Sequence, residues 1–401
     1  MYEAICVHMK GSITMDQDVG RAGSYRRQIT GYRAFIPAPL PPHPAIRVTG
    51  ELQRLLSQAD LSLGRLDGSI RTLPNPDLFV TMYVRKEAVL SSQIEGTQSS
   101  LQDLLAVEAH LHAAETPKDV DEVVNYVAAM KHGLMLLPDL PVSVRLIREI
   151  HGVLLRNVRG SHLTPGELRT SQNWIGHGGS NLNDATFVPP PPNVVLEALG
   201  NLESFLHEEA DLPTLIRIGL AHAQFETIHP FLDGNGRVGR LLIMFLLMAS
   251  GVLNKPVLYL SYYLKQHRTE YYDLLQGIRE HGAWELWLAF FLRGVSEVSA
   301  QAAETARRIL AQREIARSMI AAELGRAAGN GHRVLEHLYE RPIVSVNAVR
   351  RLLDVTYPAA NQIVERLERI GILREVTGQA RNRRFRYDSY IDLFDSGPAF
   401  G

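Results

Sequence analysis

The chain has 401 residues, 45% hydrophobic and 21% charged, the balance of a globular protein, with length for roughly two to three domains of ~150 residues each. Lys and Arg total 42 against 43 Asp and Glu, and the net charge of −1 gives no sign of a polybasic nucleic-acid or membrane binder in the average. Cys6 is the single cysteine, which excludes an internal disulfide and a cysteine-based zinc site; the longest apolar stretch, 241–253, falls short of the ~20 residues that span a bilayer.

In chain order, residues 1–45 read as an irregular leader. Gly20, Gly23 and Gly31 precede a proline-rich run at 37–42 that cannot continue a helix, and Met15 is an alternative start that would make 1–14 a leader. Acidic Glu3 and the lack of an apolar core argue against a signal peptide, so a cytoplasmic protein is expected. Residues 46–118 form an N-terminal helical region. Patterning begins near Gly50, and a second helix runs from Asp77 through Leu78, Met82, Val89 and Leu90 to a stop at Gly96. His110 and His112 alternate within a helix and point apart, a poor metal pair. Residues 119–295 form the next unit, with amphipathic helices at 120–137 and 142–158. Two β-prone runs, 172–176 and 185–188, surround a tip with Gly178, Gly179 and Asn181 and read as a hairpin-like flap closed by prolines 189–192. Helices resume at Pro213 and continue past 290, with Trp284 and Trp287 expected to pack.

The Ala- and Arg-rich stretch 296–328 reads as a linker helix, broken by Gly325, Gly329 and Gly331. Residues 329–395 predict helices at 332–340, 345–353 and 358–370, then strands at 372–376 and 384–387, the order of a winged helix-turn-helix. The window 331–390 holds 11 arginines against seven carboxylates, a net of +4. Arg381, Arg383, Arg384 and Arg386 cluster at the wing, where phosphate contact is natural, and Asn361 and Gln362 on the recognition helix could read adenine edges. DNA is therefore a candidate partner through residues 331–390, with protein contact the competing use.

The chemistry concentrates in twelve residues, His229-Pro230-Phe231-Leu232-Asp233-Gly234-Asn235-Gly236-Arg237-Val238-Gly239-Arg240. Pro230 ends a helix near Ile228. Gly234-Asn235-Gly236 permits positive φ and can gather backbone N–H groups into an anion nest, reinforced by the helix expected to begin at Arg237. Arg237 and Arg240, three apart, can clamp phosphate oxygens. Asp233 is a hard oxygen ligand suited to Mg2+ on a nucleotide phosphate, and His229 can take a proton near neutral pH. These are parts for phosphoryl or nucleotidyl transfer.

The segment resembles the Fic family motif, His-x-Phe-x-Asp/Glu-Gly-Asn-Gly-Arg-x-x-Arg, at every specified position. Arg159-Gly160, Pro165-Gly166-Glu167-Leu168-Arg169, Gln172-Asn173-Trp174-Ile175-Gly176, the prolines 189–192 and Tyr271-Tyr272 also look like that family. The resemblance implies a mainly α fold, a Fic-type helical core with a β-hairpin flap plus the winged helix. It implies AMP transfer from ATP to a Tyr, Thr or Ser hydroxyl of a protein, including the chain itself, and a homodimer is a family-level expectation. His229 would be the catalytic base and Asp233 the Mg2+ ligand. Pro230, Phe231, Leu232, Gly234, Asn235, Gly236, Arg237 and Arg240 would bind the nucleotide with Gln224 and His267, and the flap would register the target by strand addition.

Upstream, Ser91-Ser92-Gln93-Ile94-Glu95-Gly96 matches the family's inhibitory motif. Glu95, near a helix end, could pair with Arg240 and displace the cation that positions the γ-phosphate, so Ser91, Glu95, Gly96 and Arg240 form the expected brake. Other readings are a DNA-binding regulator with a sensory or vestigial Fic core, removal of AMP, and use of another donor.

Overall fold

The structure is a computed structural model that describes residues 20–29, 31–71, 73, 75–111, 117–176, 179–208 and 211–395. The expected leader at 1–14 with Met15, His112, and Gly178 of the flap tip lie outside the described residues.

Residues 23–37, expected to be irregular, form an antiparallel hairpin of β1 (Gly23–Arg27) and β2 (Arg33–Pro37), with Tyr25 opposite Phe35. Gly23 sits at φ +139°, and a Cβ there would collide with the Ile36 carbonyl. Its glycine is thus a requirement of close strand approach rather than a sign of disorder. Phe35 is buried against Phe187 at 5.9 Å, and its N–H donates to Val188 O at 2.9 Å, so the hairpin covers the root of the flap.

After α1 (Glu51–Arg71), Pro76 opens α2 (Pro76–Ile94), where its missing N–H needs no partner, and Gly96 follows at φ +98°. A capping box of Ser100 and Asp103 starts α3 (Leu101–Glu108). Next come α4 (Val120–Leu136), α5 (Val144–Leu154), α6 (Pro192–His207), α7 (Thr214–Ile228), α8 (Asn235–Ala249), α9 (Ser261–Gln266) and α10 (Arg268–His281). From Leu241 to Leu247 α8 is apolar and buried on every face, as a central helix must be; α2, α4, α5 and α7 surround it.

Among the described residues the flap has one ladder rung, Ile175 opposite Phe187, whose N–H groups donate to each other's carbonyls at 2.8 and 3.0 Å. Glycines at 176 and 179 weaken strand structure on one side, and the prolines at 189–192 remove donors on the other.

The stretch 296–328, expected as a linker helix, is helical to Leu324 and continuous with the preceding turns in one 41-residue helix, α11 (Trp284–Leu324), about 60 Å long at 1.5 Å per residue. Its first turns bury Trp284, Trp287, Phe290 and Phe291 in the core, and Trp287 Nε1 donates to Gly219 O at 2.8 Å. Its last turns bury Ala316, Ile320 and Leu324, and Gly331 lies so close that a Cβ would come within 2.6 Å of Leu324. One alanine-rich helix thus serves two cores.

The C-terminal unit comprises α12 (Ala328–Glu340), β3 (Ile343–Ser345), α13 (Val346–Leu353), α14 (Tyr357–Arg369), β4 (Arg374–Glu375), β5 (Arg384–Arg386) and α15 (Asp388–Asp395). Its antiparallel sheet runs β3-β5-β4, the expected winged helix with one extra short strand. It is docked on α2: Phe79 meets Tyr339 at 4.9 Å, Tyr83 meets Phe394 at 5.3 Å, and Arg85 Nη1 donates to Glu340 O at 2.8 Å. Among the described residues no helix is long and apolar enough to cross a membrane.

Arg85 is buried and also pairs with Glu108 at 2.5 Å. Arg85→Met leaves the Glu340 carbonyl and Glu108 without this donor, so urea unfolding should show a loss of about 1–2 kcal/mol; an unchanged midpoint would mean that the docking does not depend on it.

Candidate active site

The site begins where α7 ends. His229 takes φ +49°, in the left-handed region, and Pro230 turns the chain away. The carbonyls left open at the helix end are gathered by buried Arg169, which donates to His229 O at 2.9 Å, Ile228 O at 3.4 Å and Pro190 O. Asn173 Nδ2 donates to Phe231 O at 2.9 Å, which fastens the flap base to the loop. Asn235 closes the loop from within, accepting from Phe231 N–H and donating to Phe231 O, both at 2.8 Å.

Only Gly234 of the expected nest has positive φ, +78°. Asn235 and Gly236 already belong to α8, which starts two residues earlier than expected. In place of a three-residue nest the structure has a helix's first turn, whose opening N–H groups have no intrahelical acceptor and whose positive dipole end suits an anion. A Cβ on Gly236 would collide with Glu95 Oε1, so this carboxylate lies directly over that turn.

Arg240 and Arg237 are drawn to different carboxylates. Arg240 is buried and donates through Nη2 to Glu95 Oε1 at 2.5 Å and Ser91 O at 3.0 Å, and through Nε to Ser91 Oγ at 2.8 Å. Burial works to raise the Glu95 carboxyl, but the charge and hydrogen bond of Arg240 hold it below its ordinary value. Arg240 is likewise held above its own ordinary value by Glu95 against its burial. Gly96 terminates the motif at φ +98°, and among the described residues no hydrogen bond joins it to the pair, whereas Ser91 is part of the cradle.

Arg237, expected to clamp phosphate, is a fully buried strut. Its Nη1 pairs with Glu122 at 2.9 Å, and its Nη2 lies 3.7 Å from Asp233 Oδ1. Arg240 is the cation paired with the carboxylate that lies over the first turn of α8. Glu122, from the first turn of α4, was not distinguishable in sequence from an acidic residue that favours a helix N-terminus.

Asp233 keeps a third of its side chain exposed. Oδ1 accepts from Gly234 N–H at 2.6 Å, and Oδ2 faces Gly160, where a Cβ would come within 2.6 Å. A lone, half-open carboxylate fits Mg2+, which takes one or two carboxylates and fills its octahedron with water and phosphate oxygens. Among the described residues no group of three or more metal-ligating side chains forms a closed metal site.

The His229 imidazole is pushed down to about 3, first by burial and then by the positive charges of Arg279 and Arg169. It is therefore neutral at physiological pH, the form that can accept a proton. Its Nδ1 makes no hydrogen bond among the described residues. Leu232 is half-buried in the loop and Phe231 is fully buried.

Two expected nucleotide contacts are turned elsewhere. Gln224 is buried and donates to Ala38 O at 2.8 Å, anchoring the proline-rich segment. His267 packs on Tyr263 at 4.3 Å, with Nδ1 3.7 Å from Glu270, and no hydrogen bond or ion pair among the described residues joins it to the loop. Tyr271 is buried and hydrogen-bonded to His222 at 2.8 Å.

In the winged helix, Asn361 donates to Glu365 at 2.7 Å and accepts from Arg383 at 2.9 Å. Arg386 pairs with Asp388 and reaches Gln102 of α3 at 3.1 Å. Arg381 and Gln362 remain exposed.

A central helix whose N-terminus faces a histidine on the preceding helix end, closed by an acid from a separate helix, defines a Fic-type core. Residues 141–247 match the Fic/DOC family, residues 53–135 the Fic/DOC family N-terminal region, and residues 332–386 an HTH DNA binding domain. The chain thus carries a Fic/DOC family domain at residues 141–247, preceded by a match to that family's N-terminal region. It is 34% identical over 197 residues to a protein adenylyltransferase Fic of Aedes aegypti, covering 47% of this chain and 35% of that protein. It is 32% identical over 190 residues to the one of Drosophila willistoni, covering 46% and 33%. The chain thus spans about a third of the length of these relatives. A Fic family protein from Desulfovibrio desulfuricans G20 shares the fold with a TM-score of 0.56 at 17% identity, over 85% of this chain and 97% of that one.

Glu226, one turn before His229, is buried, and its Oε1 makes no hydrogen bond among the described residues. Burial outweighs the attraction of Arg240 and raises its carboxyl to about 7. The unfolded chain gives up this proton near 4.5 and the folded chain keeps it, so stability falls as pH rises from 4.5 through 7. Glu226→Gln should therefore raise the melting temperature little at pH 5 and by several degrees at pH 8; an equal gain at both would show that Glu226 does not titrate in the fold.

Proposed function

We propose that the chain is a protein adenylyltransferase, moving AMP from ATP to a Tyr, Thr or Ser hydroxyl of a protein, itself included, and that Glu95 holds the activity off. The observation that carries this reading is the Glu95 carboxylate lying over the first turn of α8 while paired with Arg240. An acid there stands where an anionic phosphate would be bound.

With Glu95 withdrawn, the α8 amides and Arg240 hold the polyphosphate of ATP. Mg2+ at Asp233 would supply charge neutralisation between phosphate oxygens. His229 takes the proton of the target hydroxyl as that oxygen attacks the α-phosphorus. The bond from the α-phosphorus to the bridging oxygen breaks, and pyrophosphate leaves. The negative polyphosphate also offsets Arg279 and Arg169, so nucleotide binding raises the basicity of His229 from its depressed value. The flap, tied to the loop through Asn173, would register a target segment by backbone pairing. A closed Glu95 denies ATP its γ-phosphate cation, and the loss of in-line geometry suppresses transfer. The cytoplasm, with its ATP, is the compartment this reaction suits.

Glu95→Gly should raise incorporation of labelled AMP into the chain by about tenfold or more, with intact mass gaining one AMP unit, and His229→Ala in that background should abolish it. A rate unchanged within about twofold would remove the brake. Labelled UTP and CTP alongside ATP test the donor.

A second reading attaches to residues 332–386, which match an HTH DNA binding domain. With Asn361 held by Glu365 and Arg383, the exposed Arg381 favours phosphate contact over base readout. In a mobility-shift assay of the full chain on mixed duplexes, binding at low salt should weaken steeply at moderate salt and on Arg381→Ala; no shift at low salt would favour a protein-contact role.

A further inference from the structure

We propose that His151 of α5, outside the motif, is a positioning residue for the nucleotide-binding loop, and that its hydrogen bond to the Asp233 carbonyl is what sets the loop. His151 is fully buried, and three residues of the loop, Phe231, Asp233 and Gly234, converge on its side chain. Its ring stacks on Phe231 at 3.7 Å with the planes 8° apart. Its Nε2 lies 3.1 Å from Asp233 O, and its edge is against Gly234, where a Cβ would come within 3.6 Å.

The protonation pattern follows from the other nitrogen. Gly166 N–H points at Nδ1 from 2.8 Å. A backbone N–H can only donate, so Nδ1 is the acceptor and the proton resides on Nε2, which donates to Asp233 O. The imidazole is thus a rigid two-ended strut from the 165–167 turn to the carbonyl immediately before the Gly234 bend. That bend aims the first amides of α8, and a residue that fixes their origin affects the line of attack more than the strength of phosphate binding, which Arg240 and the helix dipole supply.

Three substitutions separate the contacts in the full-length Glu95→Gly chain. His151→Gln places a donor where Nε2 was, His151→Asn places an acceptor where Nδ1 was, and His151→Phe keeps the stack with neither bond. For its rate readout this inference rests on the AMP-transfer reading. The maximal rate of AMP incorporation should stay within about threefold for Gln and fall about tenfold or more for Asn and Phe, with half-saturating ATP moving less than about threefold throughout. Amide exchange across 231–236 should be faster by about tenfold in Asn and Phe and unchanged in Gln. Rates that follow melting temperature instead of this order, or a Gln variant as impaired as Asn, would overturn the assignment. If the Glu95→Gly parent incorporates no AMP, the transfer reading fails by itself, and exchange alone decides: equal protection in all variants overturns the strut.

Discussion

A single buried guanidinium organises this molecule. Arg240 projects from the central helix into a pocket where Glu95 and Ser91 satisfy it, and with its side chain 2% exposed it must always have an anionic partner. A lone buried charge costs several kcal/mol, so what can change is the partner's identity. Glu95 keeps 29% of its side chain exposed, so the exchange can proceed from the solvent side. In the proposed reaction, polyphosphate and Glu95 would compete for one cation and one set of helix amides, which would make inhibition a property of charge and space rather than of a remote signal.

The helix that delivers Glu95 is held along its length by different neighbours. Near its start, Phe79, Tyr83 and Arg85 meet the winged helix; in the middle, Glu87 accepts from the Ser261 hydroxyl and backbone N–H; at its end, Ser91 and Glu95 meet Arg240. The Fic core and the C-terminal domain therefore share α2 as a common wall.

Much of the site was legible because its chemistry is contiguous. From His229 to Arg240, local rules give the helix stop, the turn and the helix start, and composition alone separates the basic C-terminal lobe from the acidic remainder. The Glu95–Arg240 pair spans 145 positions and was visible only through a motif resembling a known family. Glu122, His151 and Glu226 were not legible: in sequence each is an ordinary residue of an amphipathic helix, and its partner is decided by how helices cross. The same limit hid the partners of Arg237 and Gln224, since spacing along a helix gives a face but not what the face meets. The β1–β2 hairpin was hidden because its glycines read as looseness, whereas Gly23 is required by contact with Ile36.

The continuity of α11 has a consequence for how this architecture can be taken apart or recombined. The C-terminal fold takes Ala316, Ile320 and Leu324 from a helix rooted at Trp284 in the Fic core, and it rests Tyr339 and Phe394 on α2. A cut anywhere in 296–328 would strip one wall from the smaller fold and leave an apolar scar on the larger. The C-terminal segment is therefore no detachable cassette, and exchanging it between relatives would require the helix and its opposing face on α2 to travel together.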